Sequence, residues 1–276
     1  MEECISVFDM LKIGVGPSSS HTLGPWRAAE RFLGELRNEN VLHKTSRIKV
    51  NLYGSLSLTG KGHATDLAIM LGLSGQDPEY IPVQNIAQII KTIEDTHEIQ
   101  LGNEVTIPFY FLQDIVFNKN FLPFHANGLT FTAFLEDDKE YTSTFYSIGG
   151  GFVVKEERVN AIKKHAIKCA FPFPIQNAEE LLQYTISENK SISEIVYENE
   201  KSMRSEENID QELMRIWKTM LECMYIGCHS EGILPGGLNV RRRAFDMHQG
   251  LIGLANYSNP QEWLEEIRTE VSFAKY

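Results

Sequence analysis

Arg47-Ile48-Lys49-Val50-Asn51-Leu52-Tyr53-Gly54-Ser55-Leu56-Ser57-Leu58-Thr59-Gly60-Lys61-Gly62-His63-Ala64-Thr65-Asp66-Leu67 changes character twice. From Arg47 to Leu52 apolar and polar residues alternate, which is the period of a half-buried strand, expected over 46–54. Glycines and hydroxyls then dominate. After them His63, Leu67, Met70 and Leu71 fall on one helical face, so the spacing predicts a helix over 59–73, with Gly72 able to end it. A strand therefore feeds a glycine-hydroxyl loop and then a helix with a histidine near its start. A nucleotide phosphate loop is excluded. That motif needs four residues between its first glycine and Gly-Lys-[Ser/Thr]; here five separate Gly54 from Gly60, and Gly62 stands where the hydroxyl should be.

The same plan occurs earlier. Gly16-Pro17-Ser18-Ser19-Ser20-His21-Thr22-Leu23-Gly24-Pro25 places hydroxyls around an imidazole. Trp26, Ala29, Leu33 and Leu36 then recur at helical spacing, so a helix is expected over 25–38. Pro25 suits a first helical turn, and free N–H groups there favour a carboxylate or phosphate. An ordinary serine-rich cap is the plain alternative. A third stretch, Tyr146-Ser147-Ile148-Gly149-Gly150-Gly151-Phe152, follows a strand-like run and can bring backbone close to a ligand or simply make a tight turn.

Around these stretches, a short helix is expected over Val7–Leu11 and another carrying Ile86, Ile89, Ile90 and Ile93. Val105, Ile107, Phe109 and Phe111 alternate as a strand, as do Leu129, Phe131, Ala133 and Leu135. Glu136-Asp137-Asp138-Lys139 then turns the chain into Glu140–Ser147 as a hairpin. The fold class is thus an α+β N-terminal domain over 1–155. Residues 156–176, basic and ending in Phe171-Pro172-Phe173-Pro174, read as a linker. Residues 177–276 read as all-α: Ile209, Leu213, Ile216, Met220 and Cys223 recur helically behind a cap such as Asn208. Asn259-Pro260 opens a helix with Trp263, Ile267 and Val271.

The 276 residues carry a net charge of −11, which argues against a general nucleic-acid surface, and Arg241-Arg242-Arg243 is too short to change that. No apolar run is long enough to span a membrane, and Met1-Glu2-Glu3-Cys4 lacks a signal-peptide pattern, so the cytoplasm is the expected compartment. The four cysteines, Cys4, Cys169, Cys223 and Cys228, do not form a disulfide framework. Cys223 and Cys228 lie about 140° apart on a helix, a poor shared metal face, and are expected to be buried structural thiols. No metal ligands are assigned.

Taken in order, these motifs resemble the iron–sulfur-dependent L-serine dehydratases (L-serine ammonia-lyases). Phe8-Asp9-Met10, Leu122-Pro123-Phe124-His125-Ala126-Asn127-Gly128 and Glu231-Gly232-Ile233-Leu234-Pro235-Gly236-Gly237-Leu238 extend the likeness over roughly residues 4–245, weaker from Phe245 onward. The resemblance implies dehydration of L-serine to pyruvate and ammonia with a [4Fe-4S] cluster that accepts the departing hydroxyl. It implies that His63 is the general base, and that Ser18, Ser19, Ser20, His21 and Thr22 hold the substrate's carboxylate and ammonium. Lys61, Ser147, Gly149 and Gly150 add contacts, while His125 and Asn127 belong either to the site or to a structural turn. An imidazole titrating near neutrality suits proton abstraction.

The family's cluster cysteines lie on a C-terminal helical domain beyond this sequence, so the cluster ligands are not expected here and the all-α part is expected to be incomplete. The resemblance implies L-serine as substrate, a separate C-terminal catalytic chain as partner, and a homo-oligomer at full length. A truncated product, inactive alone, is the expectation. Two other readings stay open. One is an amino-acid-binding regulatory module, since the family's N-terminal domain is architecturally related to a ligand-binding domain of some phosphoglycerate dehydrogenases. The other is a serine hydrolase, which lacks a Gly-x-Ser-x-Gly elbow here.

Overall fold

The computed structural model describes residues 5–16, 18–157, 171–234, 239–252 and 257–266. The chain divides into two compact units, Lys12–Ile167 and Met1–Leu11 with Lys168–Tyr276. The short helix α1 (Val7–Met10) therefore belongs with the C-terminal residues.

In the first unit a π-helical turn, Ser19–Leu23, runs straight into α2 (Gly24–Asn38). Next come β1 (Thr45–Leu52), α3 (Gly54–Thr59), a 3₁₀ turn Gly60–His63, and α4 (Thr65–Leu73). They are followed by α5 (Val83–Thr96), β2 (Glu98–Leu101), β3 (Val105–Pro108), α6 (Phe111–Asp114) and β4 (Ile115–Phe117). β5 (Gly128–Leu135), β6 (Glu140–Gly149) and β7 (Phe152–Lys155) complete it. The main sheet has the order β4-β1-β5-β6-β7; β4 runs parallel to β1 and the other neighbours are antiparallel, while β2 and β3 form a separate hairpin. The strand–helix mixture expected from the sequence is thus present.

The core follows from amphipathic spacing. Trp26, Ala29, Phe32, Leu33 and Leu36 on α2 are buried, as are Ile48, Val50 and Leu52 on β1. Phe32 stacks on Phe131 of β5, ring centroids 5.1 Å apart. Such burial, at ~25 cal/mol per Å² of apolar surface, is what holds α2 to the sheet. Ile90 and Ile93 of α5 are also buried, as their spacing predicts.

Three local expectations are corrected. The helix expected over 59–73 is not continuous: the 3₁₀ turn Gly60–His63 follows α3, and Ala64, left-handed at φ 55°, parts that turn from α4. Gly72 does not end α4; it lies inside it, and a Cβ there would meet Trp26 O at 2.7 Å and Ala29 Cβ at 2.8 Å. The glycine serves close helix approach rather than termination. Phe111 does not continue the strand of Val105 and Ile107 but opens α6, where buried Asp114 accepts from the Tyr110 N–H at 2.7 Å and from Arg47.

The second unit is built of α1, α7 (Ala178–Glu188), α8 (Ile192–Lys201), α9 (Glu206–His229) and α10 (Ala244–Ile252), with a further helical stretch over 260–266. Asn177 caps α7, and Ser191 with Glu194 forms a capping box on α8. Ser205, not Asn208, caps α9: its hydroxyl accepts from the Asn208 N–H at 3.4 Å. Buried Glu200 on α8 accepts from the Ser6 hydroxyl at 2.9 Å and the Val7 N–H at 2.8 Å, so α1 is fastened to this unit through a carboxylate that also pairs with Arg204. Most of the expected linker, 158–170, lies outside the described residues, as do Ile267 and Val271; within it, Phe173 is bound through both backbone groups by buried Asn199.

Candidate active site

The turns that carry the two histidines meet. The His21 and His63 rings lie 5.0 Å apart between centroids. The sequence reading took both stretches as loops. Instead His21 sits in the π turn and His63 at the end of the 3₁₀ turn. The left-handed Ala64 that follows His63 is strained for an alanine, by roughly 1–2 kcal/mol, a cost that the surrounding fold sustains at the point where His63 is aimed.

Hydrogen bonding fixes the imidazoles. His63 Nδ1 lies 2.9 Å from Thr59 O. A carbonyl only accepts, so Nδ1 carries the proton and Nε2 keeps its lone pair when the ring is neutral. His21 Nδ1 is 2.8 Å from Ser20 Oγ and its Nε2 is 3.0 Å from Ser55 Oγ. The Ser18 hydroxyl accepts from the His21 N–H and lies 3.3 Å from Ser20 Oγ. Ser55 was not singled out from the sequence; its signal was its place in the first turn after β1, opposite no obvious partner until the fold closes.

The remaining residues divide by exposure. Ser19 and Lys61 are exposed, Ser18, Ser20, His21 and His63 half-buried. Lys61 Nζ lies 5.2 Å from the centre of the Phe117 ring. Thr22 is buried and donates its hydroxyl to His63 O at 2.9 Å. Ser147 is fully buried and donates to Ser20 O at 2.8 Å, so it braces the π turn from β6. Asn127, also buried, donates to Ser147 O at 3.1 Å, while His125 Nδ1 accepts the Asn127 N–H. His125 and Asn127 thus form the turn ahead of β5, and Asn127 reaches the serine turn only through Ser147. Gly149 and Gly150 take φ of 100° and 58°, conformations that glycine adopts without strain, and they sit at the β6–β7 turn.

Burial pushes the His21 imidazole below its ordinary value, and the charge of His63 pushes it further the same way. Both causes favour the neutral form of His21, whose two ring nitrogens face serine hydroxyls. A folded value below the unfolded one means that stability is fully present above about pH 6.5 and is lost as pH falls through the folded value. His21→Asn should flatten the fall in melting temperature between about pH 7.5 and about pH 5.5. Equal falls in both proteins would contradict this.

Among the described residues no three His, Cys, Asp or Glu side chains converge to hold a metal ion. Cys223 and Cys228 are free thiols on α9. Cys223 is exposed, which corrects the expectation of a buried structural thiol; Cys228 is half-buried, and burial raises its pKa. The described donors do not fit an iron–sulfur cluster, which takes a set of cysteine thiolates.

Residues 6–158 match the family model of the serine dehydratase beta chain. The chain belongs to the serine dehydratase family. Residues 187–269 match the serine dehydratase alpha chain model, so the family likeness runs past the Phe245 limit that short motifs suggested. It is 41% identical to an L-serine dehydratase of Haemophilus influenzae over 258 residues, covering 92% of this chain and 56% of that protein. To an L-serine dehydratase of Streptomyces coelicolor it is 43% identical over 242 residues, 87% of this chain and 53% of the relative. L-serine dehydratase 1 of Escherichia coli matches at 39% over 258 residues, 92% and 56% respectively. The chain spans about half the length of the curated relatives it matches. No helix among the described residues is long and apolar enough to cross a membrane.

Proposed function

We propose that this chain supplies the substrate-binding and base side of an L-serine ammonia-lyase that acts in the cytoplasm. The observation that carries the reading is the His21–His63 pair, 5.0 Å apart, with His63 Nε2 left as a lone-pair nitrogen by the bond from its Nδ1 to Thr59 O. His63 Nε2 accepts the α-proton of L-serine, and His63 then carries it as an imidazolium. Ser18, Ser19 and Ser20 hold the substrate carboxylate through hydroxyls and the backbone of the π turn, and exposed Lys61 adds positive charge. Ser147 braces the turn through Ser20 O, and with Gly149 and Gly150 it adds contacts to the substrate. Loss of the β-hydroxyl leaves aminoacrylate, which hydrolyses to pyruvate and ammonia.

A [4Fe-4S] cluster, which the family resemblance implies, would supply the Lewis acid for the departing hydroxide; its ligands would come from a partner C-terminal catalytic chain, with homo-oligomers at full length. The test is pyruvate release from L-serine under anaerobic, iron-reconstituted conditions, by the chain alone and with a C-terminal serine dehydratase domain added. Pyruvate only when both chains are present is the expected result. L-serine binding without pyruvate in either case would favour the regulatory-module reading instead.

A further inference from the structure

We propose that Thr22 and Thr65 are positioning residues that cross-tie the two histidine turns, each holding the main chain of the other turn's histidine. The inference rests on the reading of His21 and His63 as one site. Thr22, which follows His21, donates its hydroxyl to His63 O at 2.9 Å, and Thr65, two residues after His63, donates to His21 O at 2.5 Å. Both side chains are buried, Thr22 at 3% exposure and Thr65 at 0%, so both hydroxyls are used inside the protein and neither reaches a substrate.

The reason these carbonyls need side-chain donors lies in the sequence. His21 lies in the π turn, and α-helical pairing of its carbonyl with residue 25 is closed to it because Pro25 has no N–H. The carbonyl of His63 would accept from Leu67, whose N–H instead donates to Asp66 Oδ1 at 3.0 Å, and left-handed Ala64 interrupts the helix in between. A carbonyl shut away from water without a donor costs about 1–3 kcal/mol, and each threonine hydroxyl, by supplying a donor to the other turn, ties the two turns together. The threonines are seated by glycines: a Cβ on Gly16 would lie 2.3 Å from Thr22 Cγ2, and one on Gly60 would lie 3.0 Å from Thr65 Oγ1.

A base displaced by about 1 Å loses about 10²-fold in rate, which is why the tie matters to chemistry and not only to folding. The test compares serine and alanine at each position in the full chain. Thr22→Ser and Thr65→Ser keep the hydroxyl; Thr22→Ala and Thr65→Ala do not. In the serine variants the nuclear Overhauser contact between the His21 and His63 ring protons persists. In the alanine variants it weakens or vanishes, and in any preparation that releases pyruvate kcat falls about tenfold or more while KM changes by less than about twofold. Cysteine, close to serine in size and a weak donor, gives the same comparison if an alanine variant does not fold. An unchanged ring contact in the alanine or cysteine variants would overturn the proposal. If the ring contact is lost in those variants while His63→Asn leaves turnover intact, the cross-tie stands and the assignment of His63 as base fails.

Discussion

If His63 is the proposed base, replacing it with asparagine should lower L-serine turnover by about 10²–10⁴-fold, the contribution of a positioned general base, equivalent to about 3–5 kcal/mol of barrier. The measurement is anaerobic pyruvate release by whichever preparation turns over, the chain alone or the chain with a separate C-terminal catalytic domain. On that reading the loss should fall on kcat rather than KM, because a general base acts on the α-proton in the transition state and contributes little to ground-state binding. The fold should not suffer: His63 is half-buried and its ring makes one bond, from Nδ1 to Thr59 O. A parallel melt of the variant within a few degrees of wild type separates lost chemistry from lost structure. Turnover within about threefold of wild type would remove His63 from the base role and turn attention to His21, the neighbouring imidazole, through Nε2 released from Ser55.

The second large effect is structural. Gly24→Ala is an allowed change for the backbone, since Gly24 has φ −59° and ψ −54°. Its Cβ, however, would lie 1.9 Å from Ser147 Oγ and 2.7 Å from Ser147 Cβ. Ser147 cannot retreat, being fully buried and held by Asn127 O, Asn127 Nδ2 and Ser20 O. Overpacking of this kind costs about 1–3 kcal/mol, enough to lower the melting temperature by several degrees. The π turn is also pushed off β6, so the ring contact between His21 and His63 should weaken. Adding Ser147→Gly to Gly24→Ala removes both clashing atoms, and the double variant should recover part of the loss, a coupling that a double-mutant cycle measures. Additive losses would mean that the two positions do not press on each other.

Much of this was legible in the sequence. The alternation from Arg47 to Leu52, the helical spacing of Trp26, Ala29, Leu33 and Leu36, and the alternation from Leu129 to Leu135 each named an element that exists, because periodic burial of apolar side chains is a local record of which face meets the core. The hydroxyl-rich runs at Ser18–Thr22 and Ser55–Thr65 drew attention to His21 and His63, whose rings the fold brings together. Shorter elements were missed. β4 is three residues long and β7 four, too short for a period to register, and each exists because a neighbouring strand offers a ladder to it.

Only the tertiary structure decided what each hydroxyl does. Serine and threonine look alike along a chain, yet Ser147 and Thr22 spend their hydroxyls on backbone carbonyls in the interior while Ser19 faces solvent. The sequence put His21 and His63 forty-two positions apart and could say that each begins a helix; it could not say that a π turn at one and a left-handed alanine after the other bring their rings to 5.0 Å. That distance depends on donors and acceptors contributed by segments distant in sequence, and the choice among them is made when the chain closes on itself and each buried carbonyl has to find a partner.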